Sequence, residues 1–144
     1  MPDSYTISVV IPAYNVEGCL KQCLDSVFAQ TMKPTEVIVI NDGSTDSTAE
    51  VARSCEDRIV YLEQDNCGQG AARNTGLRVV KAEYVTFLDA DDYWLPDFLR
   101  ESMIFLHSTP NLAAVFTAWI KRFADGSSEI RPLMAADTRV QQQG

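Results

Sequence analysis

Residues 36–44 read EVIVINDGS, and this stretch decides the fold of the chain. The unbroken run of valine and isoleucine predicts a strand buried on both faces, and the Asn-Asp-Gly-Ser that follows predicts a turn. Ser47 and Glu50 have the spacing of a capping box, which predicts a helix that continues to Arg53. The stretch is therefore one strand, turn and helix unit.

The same unit recurs along the chain. Residues 6–12 read TISVVIP and predict a strand that ends at Pro12, and apolar residues at helical spacing follow from Val16 to Phe28, with Asn15 as the expected cap. Two more strands are predicted at residues 58–63 and 84–88, and two more helices at residues 71–81 and 96–106. Strands that alternate with helices are typical of parallel βαβ units, so we predict an α/β fold: a doubly wound, mainly parallel sheet with helices on both faces.

The last part of the chain carries a weaker pattern. Residues 112–123 are largely apolar, and Asp125-Gly126 could turn them into a hairpin with residues 129–133, although Asp-Gly also occurs in other turns. Residues 135–144 have no core pattern and are expected to form a weakly ordered tail. The length of 144 residues is that of one domain, so we predict a single domain over residues 1–144.

Composition and charge exclude several function classes. The 20 acidic and 12 basic residues give a net charge of -8, which argues against nucleic acid or an anionic membrane as a broad-surface partner. The sequence shows neither an apolar run long enough to span a bilayer nor a signal peptide, so a cytoplasmic location is the default expectation. The hydrophobic content of 46% predicts a globular chain with a real core.

The cysteines and the histidine do not have the number and spacing that a zinc site or a catalytic triad requires. Cys19 and Cys23 fall on one face of a helical stripe, and together with Cys55 and Cys67 they lack a tight paired spacing. We expect reduced, mostly buried thiols. His107 is the single histidine, so a histidine-based triad or zinc cluster is disfavoured.

A second apolar run leads directly into three acids. Residues 84–92 read YVTFLDADD, which places Asp89, Asp91 and Asp92 at the end of a strand, where mutual repulsion would raise their pKa values unless a cation offset it. Magnesium prefers one or two carboxylates together with substrate phosphates. The alternative is that Asp91 or Asp92 opens the helix that Pro96 begins. The acids alone leave both interpretations open.

Polar residues follow three of the predicted strands, at residues 12–15, 41–46 and 89–92. Open α/β sheets bind ligands at the carboxyl ends of their strands, near the point where the strand order reverses. One cleft could therefore collect all three groups.

Four blocks of sequence together resemble a known family. They read VVIPAYN at residues 9–15, VINDGSTD at residues 39–46, NCGQGAARN at residues 66–74 and FLDADD at residues 87–92. In this order they are similar to the N-terminal half of family 2 glycosyltransferases, which have the GT-A fold. The resemblance covers residues 6–105. It implies an inverting transfer of sugar from a nucleotide-diphosphate sugar, a UDP-sugar ahead of a dTDP- or GDP-sugar, to an acceptor hydroxyl.

The resemblance also implies roles for particular residues. Asp42 would accept the N3–H of uracil or thymine, whereas the alternative for residues 41–46 is plain turn and cap chemistry. Arg73 would lie close to the diphosphate, its alternative being an ion pair with one of the aspartates. The other residues implied in nucleotide-sugar binding are Pro12, Ala13, Tyr14, Asn15, Gly68, Asn74 and Ala90.

The acidic motif resembles the Asp-x-Asp signature of these enzymes. Carried over, Asp89 would reach the ribose, and Asp91, with Asp92 adjacent, would bind the Mn²⁺ or Mg²⁺ that bridges the two phosphates. The metal would neutralise the nucleoside diphosphate as it leaves. The expected acceptor is a saccharide or glycoconjugate, as in polysaccharide or glycoconjugate biosynthesis.

The chain departs from the family pattern in one respect. Catalytic domains of this family run well past 144 residues, and no later acid matches the general base. We therefore expect the N-terminal part of a longer enzyme with its base beyond Gly144; the alternatives are a non-catalytic nucleotide-sugar-binding module or a fragment without transfer activity. A receiver-like domain is disfavoured because residues 12–15 contain no acid. An unfinished sheet edge would favour a homo-oligomer.

Overall fold

The computed structural model describes residues 5–131, and the chain forms two compact units that divide between Arg100 and Glu101. The elements are β1 (Ile7–Ala13), α1 (Leu20–Phe28), β2 (Glu36–Asp42), α2 (Thr48–Arg53), β3 (Val60–Gln64), α3 (Gln69–Leu77), β4 (Tyr84–Phe87), α4 (Phe98–Ser108), β5 (Trp119–Arg122) and β6 (Ser128–Arg131).

The first unit is built on a parallel sheet in the order β3-β2-β1-β4. Strand β1 lies inside the sheet, where Val9 pairs with Val37 on one side and with Thr86 on the other. The chain runs outward from β1 through β2 to β3 and then returns to β4, so the strand order reverses beside β1. The predicted parallel α/β fold is confirmed.

Helices cover both faces of this sheet because successive residues of its strands point to opposite sides. On one face Val9 and Ile11 belong to a buried cluster with Leu20 and Leu24 of α1. On the other face Val10 packs in a cluster with Ile38, Ile40 and Ala72 of α3. Strands β1 and β2 are therefore apolar on both sides, as their unbroken hydrophobic runs predicted.

Two predicted helix caps are wrong. Helix α1 begins at Leu20 rather than at Val16, and Asn15 has a φ of 50° and lies well before its first turn. At the start of α2, Thr48 N–H donates to Asp46 Oδ1, while the Ser47 side chain makes no capping bond within the described residues. The causes differ: the Asn15 side chain accepts from Thr45 N in the neighbouring loop, whereas at α2 the adjacent Asp46 takes the capping role expected of Ser47.

The remaining boundaries differ little from the sequence prediction. Helix α3 covers Gln69–Leu77 rather than residues 71–81, and strands β1 to β4 begin and end within two residues of their expected limits. Among residues 5–131, none of the helices has the length and the apolar character that crossing a bilayer requires.

The second unit contains the predicted hairpin. Strands β5 and β6 pair antiparallel, and Gly126 takes a φ of 84° in the turn between them, next to Asp125. The expected end of the second strand beyond Arg131 and the expected tail at residues 135–144 lie outside the described residues.

The packing of α3 on the sheet generates a prediction at Gly76. A Cβ at this position would lie 2.5 Å from Val10 Cγ1 and 2.9 Å from Ile40 Cδ1, so helix and sheet can approach this closely only with glycine. Gly76→Ala is expected to lower the free energy of unfolding by about 1–3 kcal/mol, measured by urea denaturation.

Gly70 in the same helix provides the matched control. A Cβ there would meet no described atom within 4 Å, so Gly70→Ala is expected to leave stability unchanged or to raise it by up to about 1 kcal/mol through helix propensity. Equal stability of the two variants would contradict the close contact between α3 and the sheet.

Candidate functional site

An open cleft of about 320 Å³ lies where β1, β2 and β4 end. Leu88 N–H, just beyond β4, donates to Val10 O, and this bond brings the acidic segment alongside β1. The cleft is lined by Pro12, Ala13, Tyr14, Val16, Asp42, Asn66, Gly68, Gln69, Asp89, Ala90 and Asp91. The three polar groups that follow the strands are thus brought together, as the positions of the strand ends predicted.

Asp42 is the buried polar anchor of this cleft. Its residue exposure is 3%, and its carboxylate accepts three hydrogen bonds. Oδ1 accepts from Gln64 Nε2 at 2.7 Å and from Cys67 N at 3.0 Å, and Oδ2 accepts from Gly68 N at 2.9 Å. These bonds offset the cost of burying a charge, and they fix the loop before α3 to the end of β2.

The loop after β2 approaches the same segment so closely that it requires glycine. Gly43 has a φ of 72°, and a Cβ there would lie 2.8 Å from Asn66 N. The Asn41 side chain is also buried, and its Oδ1 accepts from Ser44 N at 3.0 Å. Residues 41–44 therefore form the turn that the sequence predicted, and the adjacent Asp42 also lines the cleft.

Asn15 and Asp46 join the loops after β1 and β2 to each other. Asn15 Oδ1 accepts from Thr45 N at 2.8 Å, and Asp46 Oδ2 accepts from Glu17 N at 3.2 Å. Hydrogen bonds that Asp46 accepts from Thr48, first the side-chain one, lower the pKa of Asp46, although burial acts in the opposite direction. Asn15 was expected to line the nucleotide pocket, but its side chain is directed to the neighbouring loop.

Arg73 makes the ion pair that was its structural alternative. Its Nη2 lies 2.5 Å from Asp89 Oδ1, and Gln69 Nε2 donates to the same oxygen at 2.9 Å. Asp89 is thereby held from two successive turns of α3. Asn74, the next residue of that helix, is exposed and does not line the cleft.

The three acids converge as a cluster. One carboxylate oxygen from each of Asp89, Asp91 and Asp92 lies within 4.8 Å of the others. Burial, followed by the charges of Asp91 and Asp89, raises the pKa of Asp92 above its ordinary value. Helix α4 begins only at Phe98, so the interpretation of Asp91 or Asp92 as a helix start is wrong.

Several residues that organise the site were not singled out in the sequence. Gln69 lines the cleft, and buried Gln30 donates to Leu95 O at 2.7 Å and accepts from Leu99 N at 3.0 Å, which ties the segment after the acids to the end of α1. Gln69 lies within the NCGQGAARN block, so that block was the available signal. Gln30 had none, because Leu95 and Leu99, the two partners that give it this role, are more than sixty residues away.

Comparison with known proteins decides the family. The family model described as Glycosyl transferase family 2 matches residues 8–142. The chain belongs to glycosyltransferase family 2. Over 97 residues it is 48% identical to Glycosyltransferase GlyA of Streptococcus pneumoniae, an alignment that covers 65% of this chain and 14% of GlyA.

Two solved structures confirm the GT-A fold. S. aureus TarS 1–349 in complex with UDP matches with a TM-score of 0.66 and 29% identity, over 72% of this chain and 32% of that one. The mannosyltransferase PcManGT from Pyrobaculum calidifontis, in complex with GDP-Man and Mn²⁺, matches with a TM-score of 0.66 and 28% identity, over 75% and 34% of the two chains. The chain spans between 14% and 33% of the length of the curated relatives compared.

The cysteines give a prediction about thiol reactivity. All four are free, but Cys19 and Cys67 are exposed, so the expectation of mostly buried thiols is wrong for these two. Burial, followed by the charges of the acidic cluster, raises the pKa of Cys23 to about 12, and Cys55 is also buried. Ellman's reagent at about pH 8 should therefore modify two thiols rapidly and the other two only after denaturation.

Cys19→Ser should remove one equivalent from the rapid phase and leave the slow phase unchanged. Four rapidly reacting thiols in the folded parent would contradict the burial of Cys23 and Cys55.

The acidic cluster gives a prediction about stability without metal. Because the folded-state pKa of Asp92 is raised, its ionised form opposes folding at neutral pH, and this penalty disappears once Asp92 is protonated in both states. In EDTA at about pH 7, Asp92→Asn should raise the free energy of unfolding by less than about 1 kcal/mol. The gain should shrink as the pH falls below the raised pKa of Asp92 toward the ordinary aspartate range.

Asp57→Asn, at an exposed position before β3, is the control and should show no such gain. Urea denaturation at about pH 7 and at a pH in the ordinary aspartate range compares the free energies of unfolding of the parent and the two variants. An Asp92→Asn variant less stable than the parent at neutral pH would contradict the repulsion.

Proposed function

We propose that the chain is the nucleotide-sugar-binding part of an inverting glycosyltransferase that uses a UDP-sugar and a divalent metal ion. The observation that carries this proposal is the cleft itself, which is lined by the buried Asp42 and by Asp89 and Asp91, two members of a cluster of three carboxylates. TarS in complex with UDP and PcManGT in complex with GDP-Man and Mn²⁺ support a nucleotide donor for a chain of this fold.

The nucleobase binds at Asp42. Its Oδ2 accepts one protein N–H, which leaves an acceptor position for the N3–H of uracil. Tyr14, which is 48% exposed, offers a ring at the edge of the cleft for stacking on the base or ribose, and Pro12 and Ala13 form the neighbouring wall. Asp89 binds the ribose, and Gln69 and Arg73 hold it by its other oxygen.

The acidic cluster would hold the metal ion. Three carboxylates in one place suit the oxygen preference of Mn²⁺ or Mg²⁺, and Arg73, which pairs with Asp89, supplies one positive charge against these three negative ones. Asp91 and Asp92 would hold the ion, which when bound neutralises the leaving nucleoside diphosphate.

The polypeptide organises the donor before any acceptor arrives. Asp42 and Asp89 bind the nucleoside at two points, and the bonds from Cys67 and Gly68 fix the loop between β3 and α3 against the base site. A nucleoside bound at two fixed points can present its diphosphate to Asp91 with little loss of conformational freedom. The acceptor is a saccharide or glycoconjugate hydroxyl.

Substitution at Asp91 tests the metal site. Asp91→Asn keeps the size of the side chain but removes its charge, and UDP affinity in the presence of Mn²⁺ should fall at least about tenfold, toward the metal-free value of the parent. Isothermal titration calorimetry with UDP, with and without Mn²⁺, measures both affinities.

Asp57→Asn is the matched control, because Asp57 is exposed and does not line the cleft. The parent and the control should show the same metal-dependent binding. A parent that gives no saturable UDP signal, or an Asp91→Asn variant that binds like the parent, would refute the metal-assisted nucleotide site.

A further inference from the structure

The hydrogen bonds of Asp42 leave a defined number of acceptor positions. A carboxylate has about four such positions. Two on Oδ1 are taken by Gln64 Nε2 and Cys67 N, and one on Oδ2 is taken by Gly68 N. One position, on Oδ2, is left for a ligand in the cleft.

Gln64 is the side-chain donor among these three, and its orientation is fixed from both ends. Asp42 accepts at this contact, so the amide NH₂ of Gln64 faces Asp42 and its Oε1 faces away. Thr75 of α3 donates its hydroxyl to that Oε1 at 2.6 Å. A chain of donors therefore runs from Thr75 through Gln64 to Asp42.

The number of open acceptor positions distinguishes the nucleobases. Uracil and thymine present one imide N–H to a carboxylate, whereas guanine presents its N1–H and N2–H side by side and requires two acceptors. A guanine beside Asp42 would leave one of its donors unpaired, which is costly in a buried site. The three hydrogen bonds made by the protein therefore favour the single-donor base.

We propose that Gln64, held by Thr75, is a specificity-determining residue that restricts the cleft to uracil or thymine and disfavours guanine. It acts by occupying a position on Asp42 Oδ1 that would otherwise be open to a second donor or to a rotated carboxylate. The inference rests on the proposed nucleotide-binding function, and it assigns the choice of base to residues behind the base site.

The test measures UDP and GDP affinities by calorimetry at one Mn²⁺ concentration. The parent should bind UDP at least about tenfold more tightly than GDP. Gln64→Leu should reduce the ratio of UDP to GDP affinity about tenfold. Thr75→Val removes a hydroxyl at nearly constant volume and should reduce the same ratio by a smaller factor. Gln22→Leu, at an exposed position on α1, should keep the parent ratio.

The ratio separates specificity from general damage, since a merely structural role would weaken both nucleotides equally. If Gln64→Leu does not fold by circular dichroism, Thr75→Val decides the question. The inference is overturned if the folded variants keep the parent's ratio of UDP to GDP affinity, or if the parent binds GDP more tightly than UDP. Either result leaves the proposed nucleotide site intact. A parent that binds neither nucleotide overturns the proposed function as well.

Discussion

The buried carboxylate of Asp42 and its three N–H donors are the constraint on which the rest of the site depends. The bonds from Cys67 and Gly68 set where the loop ends and therefore where α3 begins, at Gln69. The start of α3 in turn places the two side chains that hold Asp89 from across the cleft. One buried carboxylate thus fixes the loop before α3 and, through the start of α3, the side chains that hold Asp89.

The sheet makes this arrangement possible because the residues within its strands form the core, whereas the residues that line the cleft lie at the strand ends or beyond them. Strands β1 and β2 are buried on both faces, so their side chains form a close-packed core. The carboxyl ends of parallel strands meet at one edge, where the reversal of strand order beside β1 opens a cleft. The polar residues at that edge contribute less to the core, and they can be arranged for binding. A stable sheet core with the binding residues at the strand ends is consistent with membership of glycosyltransferase family 2.

The sequence was sufficient for the fold and for bringing the polar groups after β1, β2 and β4 to one cleft, but it did not predict which side chains line that cleft or most of their hydrogen bonds. Unbroken apolar runs that alternate with helical patterns identified four parallel strands, and the acids after β4 were placed correctly. The predicted helix caps at Asn15 and Ser47 were wrong: Asn15 binds Thr45 from thirty residues away, and the adjacent Asp46, in place of Ser47, accepts from Thr48 N. Gln64 and Thr75 carried no sequence signal, because polar residues on a strand and a helix acquire meaning only once packing brings them together.

The most direct measurement is a crystal structure of the chain with UDP and Mn²⁺, with anomalous scattering used to locate the metal. We expect an anomalous peak at coordination distance from Asp91, with the uracil N3–H directed at Asp42 Oδ2 and the diphosphate between them. A metal that lies away from the acidic cluster, or a uracil on a surface that does not include Asp42, would contradict the proposed site.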